Sequence, residues 1–409
     1  MSRELSVCVE GRAAGALVRE DEQFVFGYDP NASPDQFVSL TMPVRFRDYV
    51  HPRLHPLFEM HLPEGYLLSV LKKQFAKLTE TDDFGMLQLL APSIRGRVHY
   101  GVAGSGLPDD LELDHLLYGS NEGLFEELVK RFALRSALSG VQPKVLAQVE
   151  NKATLRLEDY IVKSWGPDYP ALALNEYCCM LALKNAGIPV PEFYLSEDES
   201  LFIMKRFDLT REGLAMGFED MCVLQAKSRD DKYGGSYEQV AKTIKTFVNP
   251  RFKAESLQQF FKMVVMNNWL QNGDGHLKNF GLIYEDVRSV RLAPAYDVVS
   301  TTAYIRHDVA ALTLMGSKKW WNRKHLLRFG VQVCDLPATQ AERLFGECEE
   351  GLSVLKAYVK NRLSERLNEG QKQVLVHLDE LLGSDPNAGL SDYGPSGLIR
   401  PTAMPRRSD

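Results

Sequence analysis

The sequence predicts an α+β fold, with strands gathered in the first half of the chain and helices in the second. Three observations carry this reading. Residues 4–45 and 144–207 hold short β-prone runs, residues 208 to about 384 are mainly of helical period, and one hairpin-like stretch at 279–297 interrupts them. At 409 residues the chain exceeds one typical domain. The expected units are 1–105, 106–207 and 208–384, followed by a tail at 385–409.

Taken in order, LSVCVEG alternates, ALVRE follows a glycine-containing turn, QFVFGYDP ends in turn residues, and FVSLTMPV (37–44) reads as a further β-rich run. From Pro56 to Leu78 the apolar spacing turns helical, and GRVHYG (96–101) offers a closing strand. GVAGSGLPDD (101–110) is the best linker. A short helix at about 122–133 and a glycine turn, SGVQPK (139–144), precede the strand pair KVLAQVE and TLRLEDYIVKSW. LALNEYCCMLALKNAG (172–187) predicts an amphipathic helix stopped by Gly187, followed by strands at VPEFYL and LFIMKRF. In the second half GLIY and VRLA flank a polar EDVRS, as in a hairpin. Residues 385–409 are rich in Gly, Pro and Ser and read as a flexible tail.

Composition narrows the function classes. Apolar residues at 44% and charged residues at 25% describe a soluble globular protein, and a net charge of -6 argues against generic nucleic-acid binding. The six cysteines form no CxxC, so buried reduced thiols are expected rather than a zinc or redox site. The N-terminus lacks the apolar core of a signal peptide, and no apolar run reaches about 18 residues. A cytoplasmic protein with no membrane association is the expectation.

The chemistry concentrates at Asp274-Gly-His-Leu-Lys-Asn279, followed by the hairpin and Asp297. Phosphoryl transfer needs a carboxylate to orient the acceptor hydroxyl, and an amide oxygen and a second carboxylate to hold magnesium. Asp274 and Asn279 stand five residues apart, and Asp297 follows eighteen later, beyond the hairpin. An Asp-x-x-x-x-Asn pair alone is common in surface loops; the apolar helix before it and the β-runs after it raise its weight. Such a site also needs a strand lysine for the phosphates and a helix glutamate to orient it. Lys163 and Glu176 fit those places, although a lone strand lysine usually just reaches solvent. LFIMKRFD (201–208) reads as a hinge whose Lys205 and Phe207 backbone groups could meet an adenine edge, or as an ordinary strand end.

These residues closely resemble the HipA family, kinase toxins of bacterial type II toxin–antitoxin modules. The match is carried in order by VEGRAAGALVRE, FVSLTMPV, FEMHLPEG, SGVQPK, YIVK, NEYCCMLA, MKRFD, DGHLKNF and PAYDVVS, across roughly residues 5–385. The resemblance implies a two-lobed protein-kinase-like fold, with an N-terminal β-rich domain packed on the small lobe. It implies ATP and Mg2+ as cofactors, with Asp274 as the catalytic aspartate and Asn279 and Asp297 as magnesium ligands. Lys163 matches the nucleotide-phosphate lysine, and His276, Lys278 and Tyr296 match residues lining the nucleotide site. Met204, Lys205 and Phe207 match the adenine-contacting hinge, while Gly140 and Lys144 match the phosphate-covering loop.

Studied members of the family are serine/threonine kinases that phosphorylate aminoacyl-tRNA synthetases, stop translation and undergo autophosphorylation. A helix-turn-helix antitoxin of the HipB kind neutralises them and links them to operator DNA indirectly. Family members often carry Ser-x-Ser or Ser-x-Ala before the loop glycine, the first serine being the inhibitory phosphorylation site. Here that position is Ala137, which leaves Ser139, or less favourably Ser136, as the candidate. Ser139 equally fits a serine that hydrogen-bonds its own loop. Two other classes compete with this reading: a catalytically inactive antitoxin-binding corepressor, against which the intact Asp274, Asn279, Asp297 and Lys163 argue, and a small-molecule phosphotransferase, against which the N-terminal domain and the SGVQPK loop argue.

Overall fold

The computed structural model describes residues 4–62, 82–91, 94, 96–101, 111–112, 144–151, 156–163 and 168–383. The N-terminal part is an antiparallel sheet of β1 (Glu4–Val9), β2 (Arg12–Glu20), β3 (Gln23–Tyr28), β4 (Tyr49–His51) and, after two helices, β5 (Val98–Tyr100), in the order β4-β3-β2-β1-β5. Positive φ at both Glu10 (51) and Gly11 (79) makes the β1–β2 connection a two-residue turn whose twist matches its strands. Gly15 is fixed by the close crossing of β3: a Cβ there would lie 2.1 Å from the Gly27 carbonyl oxygen. Alternation places Val7, Val9, Ala14, Leu17 and Phe26 in a core with Phe58 of α1 (Pro56–Met60) and Leu87 of α2 (Asp83–Leu90). The helical stretch expected to run to Leu78 begins at α1 and then leaves the described residues.

One expected element is absent. Residues 37–44 form no strand; a 3-10 turn at Pro34–Gln36 leads into irregular chain with a single bridge, Ser39 to Met42. Its backbone groups are satisfied from elsewhere. Arg97 donates to the carbonyls of Phe37 (2.7 Å) and Asp35 (2.6 Å), and the Leu40 N–H donates to Glu219 (2.8 Å). With side chains supplying those partners, no ladder is needed to bury Phe37, Val38 and Met42.

The second sheet has the order β6-β7-β8-β10-β9, from β6 (Leu111–Glu112), β7 (Lys144–Asn151), β8 (Arg156–Lys163), β9 (Phe193–Leu195) and β10 (Phe202–Lys205). Only β6 runs parallel to its neighbour. Helix α3 (Leu172–Asn185) follows β8, and Gly187, at φ 64, ends it as expected. It is not amphipathic, however. Leu172 to Glu176, Cys178 to Met180, Ala182 and Leu183 are all buried, because α3 is packed by the sheet and by the long C-terminal helix.

The rest is chiefly helical: α4 (Met221–Leu224), α5 (Tyr237–Phe247), α6 (Pro250–Trp269), α7 (Arg323–Gln332), α8 (Ala338–Leu363) and α9 (Glu369–Gly383). A three-stranded antiparallel sheet of β11 (Gly217–Asp220), β12 (Gly281–Tyr284) and β13 (Arg291–Leu292) lies among them, and β12–β13 is the expected hairpin. One large core joins α3, α5, α6 and α8 through Leu183, Ile244, Phe260 and Phe345.

Among the described residues, one point at which the N-terminal part meets the rest is Glu219, which is fully buried. It accepts from the Ser39 hydroxyl (2.6 Å), the Leu40 N–H and the Tyr284 hydroxyl (2.5 Å). Burial raises its carboxyl above the ordinary range, against the lowering effect of those donors. None of the six cysteines forms a disulfide, and five of them are buried. No described helix is long and apolar enough to cross a membrane. The linker 102–110, the helix at 122–133 and the tail lie outside the described residues.

Candidate active site

Lys163 ends β8 and points into the interior, 1% exposed. Its ammonium bonds Glu176 Oε1 of α3 at 2.5 Å and also the Asp297 carboxylate. Burial alone would lower the lysine's pKa, but the charges of Asp297 and Glu176 outweigh it and leave the pKa raised. Strand lysine, helix glutamate and distant aspartate therefore meet at one point, across 134 positions of sequence.

Asp297 is held in the left-handed region, at φ 60, a conformation that aspartate tolerates better than most residues. Two contacts fix it there. Asn279 donates through Nδ2 to Asp297 Oδ2 (2.9 Å) and to its carbonyl (3.2 Å). Beyond it, the Asn175 amide of α3 brackets Ser300, donating to its carbonyl (3.0 Å) and accepting from its N–H (2.8 Å).

The loop carrying Asp274 leaves α6 through a chain of asparagines. Asn272 donates to Asn267 (3.0 Å) and accepts the Asp274 N–H (3.1 Å). Gly273 leaves room for its neighbours, since a Cβ there would stand 2.0 Å from the Asp308 carboxylate and 2.8 Å from the Thr301 hydroxyl and displace them. The partly exposed Asp274 carboxylate accepts the Tyr233 hydroxyl at 2.5 Å, and His276 Nε2 lies 3.8 Å from the same oxygen. The remaining expected residues surround this centre. Tyr296 is buried, donates to the Lys278 carbonyl (2.8 Å) and stacks on Phe207 at 5.3 Å. Lys278 is buried beside Asp220, 3.4 Å away, and Asp220 also caps α4. Met204 is buried in β10.

Of the Lys205 backbone groups expected at an adenine edge, the N–H already donates to the Glu192 carbonyl at 2.8 Å. The cause is the β9–β10 pairing, which continues one residue past β9. Gly140 and Ser139 lie outside the described residues; Lys144 is placed only as the first residue of β7, opposite Lys163.

Magnesium fits the donors present. Asn279 Oδ1 is buried with no hydrogen-bond partner, an arrangement that costs energy unless something else takes the oxygen. The partly exposed Asp297 carboxylate lies beside it. Among the described residues no group of three or more His, Cys, Asp or Glu forms a metal site on its own. One amide and one carboxylate suit a cation that takes its remaining ligands from phosphates and water. The sequence missed Tyr233, Asp220, Glu219 and Asn175. Only Asp220, an acidic residue just before the apolar MCVL, carried a local capping signal.

Comparison with known proteins agrees with this architecture. Residues 136–354 match the family described as HipA-like C-terminal domain, and residues 5–101 match the HipA N-terminal domain. A Sinorhizobium fredii protein named "Putative kinase Y4dM" is 31% identical over 301 residues, covering 67% of this chain and 69% of that one. A Haemophilus influenzae protein named "Putative kinase" is 31% identical over 187 residues, 41% of this chain and 53% of that one. The fold resembles a HipA chain from Shewanella oneidensis, solved with HipB and its operator DNA. That likeness has a TM-score of 0.68 at 17% identity, over 92% of this chain and 95% of that one. With both parts matched, and more than half the chain within the C-terminal match alone, this protein belongs to the HipA family and has the architecture of its toxin-like kinases.

Proposed function

We propose that this chain is a serine/threonine-protein kinase that transfers the γ-phosphoryl group of Mg-ATP to another protein. The observation that carries this reading is the run of hydrogen bonds that joins Glu176 to Lys163, Lys163 to Asp297, and Asp297 to Asn279. Phosphoryl transfer is mostly positioning and charge stabilisation, and this set supplies both. Lys163, held by Glu176, presents its ammonium to the nucleotide phosphates. Asn279 Oδ1 and Asp297 would hold magnesium, which neutralises phosphate charge when bound. Asp274 accepts the proton of the acceptor hydroxyl and orients its oxygen. Gly140 and Lys144 cover the phosphates; Met204, Phe207, His276, Lys278 and Tyr296 line the nucleotide site, with Lys205 contributing only groups other than its N–H.

On the same reading the domains divide at 105/106, 207/208 and 384/385. The protein acts in the cytoplasm as a growth-inhibiting toxin, with an aminoacyl-tRNA synthetase as the substrate and Ser139 as a site of self-inactivation. A helix-turn-helix antitoxin is its partner, and DNA is reached only through that partner. Support for the antitoxin comes from the Shewanella HipA chain, which was solved with HipB.

A pair of variants tests the chemistry. Asp297→Ala is expected to abolish measurable Mg-ATP binding in calorimetry while the fold persists. Asp274→Asn is expected to bind Mg-ATP normally yet lose phosphorylation of cellular proteins, scored by phosphoproteomics of cells expressing each form. Undiminished affinity in the first variant, or near-normal transfer in the second, removes that residue from its role.

A further inference from the structure

Residues 228–235, which include the 3-10 turn at Arg229–Asp231 and lead toward helix α5, form a strap beside the Asp274 loop. The strap grips the loop at two points. The Lys232 carbonyl accepts the Leu277 N–H at 3.0 Å, and the Tyr233 hydroxyl donates to Asp274 Oδ1 at 2.5 Å, with the Tyr233 ring edge-on to His276 at 5.0 Å. Gly235 keeps the two segments close, since a Cβ there would meet the Leu277 side chain at 3.0 Å. At its other end the strap is held by the N-terminal part. The Arg229 N–H donates to Glu59 of α1 (2.9 Å), and its guanidinium makes a fork of bonds to Asp83 of α2 (2.8 and 3.0 Å).

We propose that Tyr233 is a positioning residue for Asp274, and that Arg229 makes this positioning depend on the N-terminal domain. The inference rests on the kinase reading above. A hydrogen bond to an ionised carboxylate is about twice as strong as a neutral one, and it fixes which way that carboxylate faces. Tyr233 is 37% exposed, with its ring edge-on to His276 and the Lys232 ammonium 5.6 Å from its centre, and the position of the strap that carries it sets where the hydroxyl lies. The strap's position is in turn set by Glu59 and Asp83, 170 and 146 positions earlier in the sequence. The N-terminal domain therefore reaches the acceptor side of the site without touching substrate or nucleotide.

The test uses the full chain, with casein and γ-labelled ATP as the probe pair. Tyr233→Phe is expected to lower kcat by about 10- to 100-fold, as loss of one charge-assisted hydrogen bond predicts. The KM for ATP and the thermal midpoint are expected to stay unchanged. Arg229→Gln is expected to lower kcat by a smaller factor, and the double variant is expected to be no slower than Tyr233→Phe alone, because Arg229 acts through the tyrosine. An unchanged kcat in Tyr233→Phe overturns the proposal. A raised kcat overturns it too, by making the hydroxyl a block on the acceptor position. Independent, multiplying losses in the double variant remove Arg229 from the role. Asp274→Asn runs beside these as the control: if it transfers label as well as the unaltered chain does, the kinase reading itself fails and the proposal falls with it.

Discussion

Replacing Lys163 by methionine keeps the length of the side chain and removes the charge that two carboxylates share. Lys163 is 1% and Glu176 0% exposed, so the glutamate carboxylate is left buried without its partner. At an effective dielectric of about 20, a unit charge pair a few ångströms apart is worth about 4 kcal/mol. Removing one partner from a buried pair typically costs about 3–5 kcal/mol, because the other is left uncompensated. The expected loss is therefore about 4 kcal/mol. With a urea m-value of about 3 kcal/mol/M, the midpoint should fall by more than about 1 M. Tryptophan fluorescence is the suitable probe, since all four tryptophans fall within residues 165–321.

The cost should not vary between pH 6 and 9. The folded-state pKa of Lys163 is raised, so its contribution is complete below a lysine's usual 10.5 and is lost only as pH rises beyond that. Adding Glu176→Leu to Lys163→Met should then recover at least about 2 kcal/mol, because the stranded carboxylate is gone. A single variant within 1 kcal/mol of the unaltered chain, or a double variant whose losses simply add, refutes the assignment of a coupled buried pair.

Two further outcomes follow from other sites. Glu219→Ala leaves the Ser39, Leu40 and Tyr284 donors stranded and should cost about 3 kcal/mol or more in chemical unfolding. Glu219→Gln, which keeps an acceptor for Leu40 and Tyr284, should cost only about 1 kcal/mol; equal losses in the two would show that the donors do not matter. His55 is buried, its ring nitrogen accepts the Leu57 N–H, and burial, with a smaller effect from His51, pushes its pKa down to about 3. Its neutral form is therefore favoured in the fold, and stability should fall as pH drops from about 6.5 toward 3, by up to about 4 kcal/mol. His55→Asn, which retains a capping acceptor, should flatten that dependence in unfolding midpoints measured across the range; an unaltered slope assigns the acid sensitivity elsewhere.

What could be read along the chain was whatever is written locally. The Asp274–Asn279 spacing, the hairpin that returns Asp297, and a lysine and a glutamate each set among apolar neighbours were all visible, because each sits in a pattern of only a few residues. The strands β1 to β3 declared themselves through alternation and turns. Residues 37–44 looked equally β-prone, yet their backbone partners are Arg97 and Glu219, which no window around them contains. Helix α3 suggested one apolar face but is enclosed on nearly every side, and its enclosure depends on α8, which begins at Ala338. Tyr233 and Arg229 carried no signal, since their meaning comes only from Asp274 on one side and from Glu59 and Asp83 on the other. The Lys205 N–H was lost to Glu192 through one extra rung of pairing, a detail of register rather than of composition.

The packing of α3 bears on how the site could be switched. A Cβ at Gly351 of α8 would stand 2.5 Å from the Ala182 carbonyl oxygen and 2.8 Å from Ala186 Cβ, so the two helices touch backbone to backbone. An outward swing of α3, carrying Glu176 away from Lys163, would have to open that seam and break both Asn175 bonds to Ser300. The lysine–glutamate pair is thus welded in place. A shift of Tyr233, 37% exposed and bonded to Asp274 through its hydroxyl, would by contrast leave that seam closed.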